Sequence, residues 1–267
     1  MSDENKDTVM TNNTVTVLWT GGWDSTYRMV ELSFRDVTVQ PIYIVDPHRI
    51  STQNELCAMQ KILELLRSKE KTKAAFLPII QIKLEDIPEN KEITEAFLVF
   101  QKEADMGSQH DWLARLALKY PMMELCIEKA LGDHAPIRQS IMRHGSLIDT
   151  GDGFIINKEV SSKELNLVLG NLKLPIFEKT ELDMLENIKN WQYEDVMSNI
   201  WFCHQPIKGK PCGMCNPCTT KMTSNMAFLL PPKAQKRNIM HRKITKLLGK
   251  KCAELYRLGN RFILKRF

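Results

Sequence analysis

A short β-branched run, VTVLW at residues 15–19, stops at Thr20-Gly21-Gly22-Trp23-Asp24-Ser25-Thr26 and passes straight into the helix-forming stretch DSTYRMVELS. Two adjacent glycines between a buried strand and a helix admit positive φ. They also leave no side chain between the backbone N–H groups and an approaching anion. The helix that opens there adds the favourable field of its N-terminus. Thr20, Ser25 and Thr26 bring hydroxyl donors. Asp24 repels a bare phosphate, so its fitting roles are capping the loop or helping to hold a magnesium ion. The plain alternative is a tight turn with glycines for geometry alone. The hydroxyls on both sides favour a phosphate cradle.

The segments that follow repeat the alternation of strand and helix. VTVQPIYIVD (37–46) reads as a second strand, with Pro41 predicting a bulge or an edge position. STQNELCAMQKILELLRSK is an amphipathic helix in which Thr52 and Glu55 have capping-box spacing. AAFLPIIQIKLED reads as a third strand, and NKEITEAFLVFQKEA and DWLARLALKY as helices. This rhythm predicts an α/β fold built on a parallel sheet, Rossmann-like, with ligands beyond the carboxyl ends of the strands. Further on, HGSLIDTGDGFIINKEV predicts a hairpin around residues 150–153, and SSKELNLVLGNLKLP and EKTELDMLENIKNW predict helices.

Cys203, Cys212, Cys215 and Cys218 form a C-x8-C-x2-C-x2-C array. Four thiolates in one short loop suit a closed, structural tetrahedral zinc site, Zn2+ with no open position for catalysis. An iron–sulfur cluster is the rival, because C-x2-C-x2-C also occurs in ferredoxins. Zinc is preferred, since nothing else in the chain suggests redox work. The odd total of seven cysteines and the polar start MSDENKDTVMTNN, which lacks a secretory pattern, predict a reducing cytoplasmic setting. Cys57 and Cys126 read as core residues and Cys252 as incidental; His134, His144 and His204 read as structural.

The 267 residues are 43% hydrophobic and carry a net charge of +5, with no apolar run long enough to span a membrane. From Pro232 onward the charge is +11, which leaves −6 for the rest. That asymmetry confines the basicity to a C-terminal tail. Its readings are a solvated helical face, a surface for nucleic acid or another anionic polymer, or a helix docked on a protein or membrane partner. Docking is slightly preferred. The expected organisation is a flexible terminus (1–13), a nucleotide domain (14–200) with an insertion at about 132–172, a zinc loop (201–231) and a basic helical tail (232–267).

The loop TGGWDST resembles the S-G-G-x-D-S/T loop of the PP-loop ATP pyrophosphatases, with Thr20 at the usual serine. Taken with the downstream cysteine array, and with Pro175, Lys179 and Glu181 in LPIFEKTELDML, the chain resembles the 7-cyano-7-deazaguanine synthases of queuosine biosynthesis. The resemblance covers residues 15 to about 130 and about 173 to 220. It implies an ATP- and Mg2+-dependent ligase that adenylates a carboxylate, releases pyrophosphate and aminates the acyl-adenylate with ammonia. Thr20, Gly21, Gly22, Asp24, Ser25 and Thr26 then cradle pyrophosphate, and Lys179 stabilises its charge. Arg49 is a phosphate or carboxylate contact, set evenly against a solvated loop arginine. His48, Gly107, Ser108, His110 and Asp111 are candidates for the adenylate side, with an N-cap role for Asp111 equally weighted.

KYPMMELCIEKA keeps Tyr120, Pro121 and Glu124 of the family's base-binding segment but not its Asp and Arg. The substrate is therefore open: the deazapurine acid, a relative, or another acceptor such as RNA. A non-catalytic nucleotide-binding subunit is the reading from another class. Oligomeric state is open, with a homodimer among the alternatives.

Overall fold

The structure, a computed structural model, describes residues 13–103, 106–129, 136–224 and 226–266. The expected N-terminal tail, but for Asn13, and the reading of His134 lie outside the described residues. The elements begin with β1 (Thr14–Leu18), α1 (Trp23–Ser33), β2 (Thr38–Val45), α2 (Thr52–Ser68), β3 (Ala75–Phe76), β4 (Ile80–Lys83), α3 (Lys91–Glu103), α4 (Gln109–Lys119) and β5 (Met123–Glu124). Then come α5 (Pro136–His144), β6 (Leu147–Asp149), β7 (Phe154–Ile156), α6 (Lys163–Leu169), β8 (Leu172–Leu174), α7 (Glu181–Trp191), α8 (Glu194–Met197), α9 (Asn216–Thr223) and α10 (Pro232–Arg266). The last is interrupted at Gly249, whose φ of 85° and ψ of 171° are not helical.

The strands form one sheet in the order β3-β2-β1-β5-β8-β7-β6, with β4 also on β2. The pairs from β3 and β4 across to β8 are parallel, while β7 and β6 run antiparallel. This is the α/β class that the alternating pattern predicts. Both faces are covered, as a parallel sheet requires. Val17, Val39 and Tyr43 pack with α1, α2, α7 and α8 on one face. Ile42, Ile44, Met123 and Leu172 pack with α3, α4, α5 and α6 on the other. The alternation of Ile42, Tyr43 and Ile44 between the faces is the two-residue period of a strand.

Several local expectations change. The single third strand is two: between Phe76, opposite Val39, and Ile80, opposite Ile42, the outer chain carries one extra residue. The irregularity that Pro41 predicts thus falls on the neighbouring chain, and Pro41 itself sits inside an interior strand. The Gln40 side-chain amide fills the gap by donating to the Pro78 carbonyl at 2.8 Å.

Thr52 and Glu55 form no capping box. Glu55 is buried and accepts from Tyr43 Oη at 2.8 Å and Ser51 Oγ at 2.7 Å. The capping box of this chain is Thr180 with Asp183, at the start of α7. The hairpin forms as β6 and β7, closed by Thr150 N–H to the Gly153 carbonyl at 2.9 Å. The stretch Asn171-Leu-Lys-Leu, read as helix, contains β8, an interior strand parallel to β5 and antiparallel to β7. Through β8 the insertion becomes part of the main sheet. Cys57 is exposed on α2, not in the core.

Candidate functional site: a glycine loop, a cavity and a four-thiol knot

β1 pairs with β2 on one side and with β5 on the other; the chain builds outward from β1 through β2, β3 and β4 and then crosses back to β5 on the opposite side. The carboxyl end of β1 is therefore the switch point of the sheet, where open α/β sheets leave a crevice. The glycine loop occupies it and opens on a cavity of about 420 Å³. That size suits a nucleotide-scale ligand.

Thr20, Gly22, Asp24 and Ser25 form one wall. Arg49, His110, Trp112 and a run of aliphatic side chains complete it. Asp46, at the end of β2, also faces the cavity. Asp46 closes the segment VTVQPIYIVD, and its place one residue past the end of β2 is the sequence signal that marks it.

The loop residues divide by role. Gly21 has φ +70°, and a Cβ there would stand 3.0 Å from Met59 Cγ. It is glycine for backbone conformation and for the close approach of α2. Gly22, in extended conformation, is the N-cap of α1 and lines the cavity. Thr26 is fully buried, and its Oγ1 accepts from Trp19 Nε1 at 3.0 Å. It therefore faces the core and not the cavity, which corrects its expected role as a phosphate donor.

Lys179 is not in the cavity wall. Its Nζ lies 3.5 Å from Glu31 Oε1 and 5.9 Å from the centre of the Tyr27 ring. A different lysine stands near the loop. Lys221, on α9, is buried, ion-paired with Glu181 and 5.6 Å from the centre of the Trp23 ring. Glu181 belongs to the Pro-x-x-x-x-Lys-x-Glu segment; Lys221 was missed, three residues after the last cysteine of the array. Around it gather Asp24 and Glu128. Burial, opposed by Lys221 and reinforced by Glu181, pushes the Asp24 carboxyl up to about 6. Burial, with the charges of Asp24 and Glu181, pushes Glu128 up to about 8. Asp24 Oδ1 and Glu128 Oε2 are buried without hydrogen-bond partners.

The remaining candidates scatter. Arg49 lines the cavity and bonds Glu55 at 3.1 Å, so it is neither free nor merely solvated. His48 is exposed; its backbone N–H donates to Asp46 Oδ1 at 2.8 Å. His110 is buried in the cavity wall, and burial lowers its pKa below the ordinary histidine value. Gly107, with φ +73°, and exposed Ser108 stand just before α4, outside the wall. Asp111 neither caps the helix nor faces the cavity. It accepts from Thr94 Oγ1 at 2.7 Å and from Arg115 at 2.9 Å, tying α4 to α3. His204 and Cys126, read as structural and core, both line the cavity. His144 has a structural setting, bonded to Glu103 at 2.8 Å.

Cys203, Cys212, Cys215 and Cys218 are buried, with ligand atoms all within 4.8 Å of one another. They are a metal-binding cluster. Backbone N–H groups of Cys212, Met214 and Cys215 point at the sulfurs of Cys203 and Cys212, at 3.1 to 3.2 Å. Such donors stabilise thiolates. Gly213 has φ +82°, and a Cβ there would stand 2.1 Å from the Ala234 carbonyl oxygen. α10 grips the same turn: Asn238 Nδ2 donates to the Gly213 carbonyl at 2.7 Å and Arg237 Nε to the Cys212 carbonyl at 2.7 Å.

These features define an α/β protein with an anion-type loop at its switch point and a separate four-thiol metal cluster. No protein-family profile matches the chain, and no curated protein matches it. Among solved structures, it is similar to the U34-tRNA thiolase NcsA from Methanococcus maripaludis with its [4Fe-4S] cluster. The identity is 12% and the TM-score 0.40, over 98% of this chain and 76% of that one.

Proposed function

We propose that this chain is an ATP-dependent, AMP-forming ligase of the PP-loop type, acting on a small carboxylate, with the deazapurine acid of the 7-cyano-7-deazaguanine synthases as first candidate. The observation that carries the reading is the open glycine loop at the end of β1, facing a nucleotide-sized cavity at the sheet's switch point. In it, the Gly22 backbone, Thr20, Ser25 and the α1 N-terminus bind the β- and γ-phosphates. Asp46 accepts from a ribose hydroxyl, and the aliphatic wall with Trp112 takes the base. The substrate carboxylate attacks the α-phosphorus; the bond to the bridging oxygen breaks, and pyrophosphate leaves. Ammonia then attacks the acyl carbon, and AMP departs. Magnesium, when bound, neutralises phosphate charge. Arg49 supplies fixed positive charge at the phosphate or carboxylate end. The cavity lining supports no role there for Lys179; Gly107, Ser108 and His48 stay peripheral, and His110 stays a neutral wall residue. The reading includes a cytoplasmic setting and the division into nucleotide domain, cysteine loop and basic tail.

The cluster metal is proposed to be zinc with a structural role. A tetrahedron of sulfurs at 2.3 Å from one ion has edges of about 3.8 Å. The Cys212–Cys218 and Cys203–Cys215 sulfur pairs stand 3.9 Å apart. Ligands of a multi-iron core must stand further apart to surround it. Among residues 203 to 218 the spacing therefore fits a single ion.

The test is pyrophosphate release with ATP, magnesium, ammonia and a panel of carboxylates, the deazapurine acid first. Release with one acid, abolished by Asp24→Ala, supports the proposal. Absence of ATP binding in a folded, metal-loaded sample overturns it in favour of a non-catalytic subunit.

A second reading keeps the ATP chemistry but takes RNA as acceptor. It is favoured by the bond between Arg257, on basic α10, and Gln205, the neighbour of the cavity residue His204. Pyrophosphate release only in the presence of RNA supports this alternative.

A further inference from the structure

Residues that flank the cysteine cluster touch the glycine loop at two points. On one side, the Trp201 backbone N–H donates to the Gly21 carbonyl at 2.8 Å. Trp201 lies two residues before Cys203, and its indole Nε1 donates to the Cys203 carbonyl at 2.8 Å. Its own carbonyl oxygen stands 4.0 Å from where a Cβ of Gly22 would be. On the other side is α9. Cys215 is its N-cap, Cys218 lies in its first turn, and Lys221 follows one turn later, so it shares a face with Cys218. A lysine is rarely buried unless paired. Lys221 is 8% exposed, pairs with Glu181 and lies over Trp23, the first residue of α1. The loop is thus held between two segments that both start from cluster ligands.

We infer that the four-cysteine cluster governs the glycine loop, with Lys221 as the positioning residue that transmits its state to Asp24 and the start of α1. A bound ion fixes Cys215 and Cys218, and therefore the direction of α9 and the reach of Lys221. Without the ion, four buried thiols have no common centre. α9 loses its anchor, and Lys221 leaves its ion-pair partner Glu181, and the buried acids Asp24 and Glu128 beside it, without their nearby cation. The loop then loses both supports: the Gly21–Trp201 bond and the charge that faces Asp24. The inference deepens the proposed nucleotide site and rests on it only for the consequence for ATP.

The test is amide hydrogen exchange on the full chain, metal-loaded and after chelation, with ATP affinity measured in parallel. On metal removal, exchange should rise in residues 20–26 together with 203–218, while α3 and α4 stay protected. Lys221→Ala should raise exchange in 20–26 with the metal still bound at one equivalent, and Lys221→Arg should restore protection. ATP affinity should fall at least about tenfold in the chelated protein and in Lys221→Ala. Unchanged exchange at 20–26 when 203–218 opens overturns the inference, and so does uniform loss of protection, because the cluster would then hold the whole fold. Absence of ATP binding in the loaded wild type refutes the proposed function, while the exchange pattern still decides the coupling.

Discussion

Arg28 on α1 and Glu124 on β5 form a two-bond ion pair, Nε to Oε2 at 2.8 Å and Nη2 to Oε1 at 2.7 Å, with both side chains almost completely buried. Arg28 also reaches Asp152, in the hairpin turn, at 2.9 Å, and Lys173 meets the same carboxylate at 2.8 Å. Burial opposes the charge on Asp152, but Lys173, Arg28 and Arg35 outweigh it and hold its carboxyl well below the usual range. The pair thus fastens α1, β5 and the inserted hairpin to one another. Arg28→Met removes both hydrogen bonds of the pair and leaves buried Glu124 with Lys173, at 3.3 Å, as its remaining cation, so it should cost up to about 3 kcal/mol in urea unfolding. Arg28→Met with Glu124→Leu should recover much of that loss.

Hydroxyls of the loop should separate into two classes. Thr26→Val removes the acceptor of a buried indole N–H and should cost about 1–3 kcal/mol of stability. Thr20→Val and Ser25→Ala, at the cavity wall, should leave the melting temperature nearly unchanged and weaken ATP binding. Calorimetric melting and titration on the same samples distinguish the two behaviours.

The two glycines should also differ. Gly21→Ala forces a side chain into the left-handed region, about 1–2 kcal/mol, and brings it against Met59. Gly22→Ala meets Thr20 Oγ1 at 3.4 Å and the Trp201 carbonyl oxygen at 4.0 Å, both ordinary contacts, so the fold should persist while the phosphate cradle narrows. Thermal unfolding should therefore respond to the first substitution, and ATP affinity to both.

Stability should fall as pH rises toward 8. Burial first, then Asp24 and Glu181, raise Glu128 from 4.5 to about 8 in the folded chain. Between those values the folded state holds a proton that the unfolded state has released, so stability declines with pH. Asp24, raised to about 6, adds to the same slope up to that pH. Glu128→Gln should flatten the decline in melting temperature between pH 5 and 8 without removing it. An unchanged slope in the variant assigns the pH dependence elsewhere.

Legibility followed the range of the interactions involved. The first strand, the glycine loop, the long amphipathic helices and the 150–153 hairpin were readable because periodicity and turn chemistry are local. β5 and β8 were not. Each has three residues or fewer and depends on neighbours distant in sequence, as Met123 does on Leu172. Glu55 had capping-box spacing, yet Tyr43 and Ser51 recruit it into the core.

The same division runs through the candidate site. Sequence alone determined that the chain would alternate strand and helix, that an anion-type loop would follow the first strand and that four cysteines would share one ion-sized space. Each follows from neighbouring residues: glycine's freedom at positive φ, the helix N-terminus, and ligands a few positions apart. Tertiary structure decided which lysine stands beside the loop, Lys221 and not Lys179. It also turned Thr26 inward and brought Asp46 and His204 to one cavity. Charge partners are chosen by burial and by distance in space. Residues 24, 128, 181 and 221 meet only once the sheet has brought their elements together.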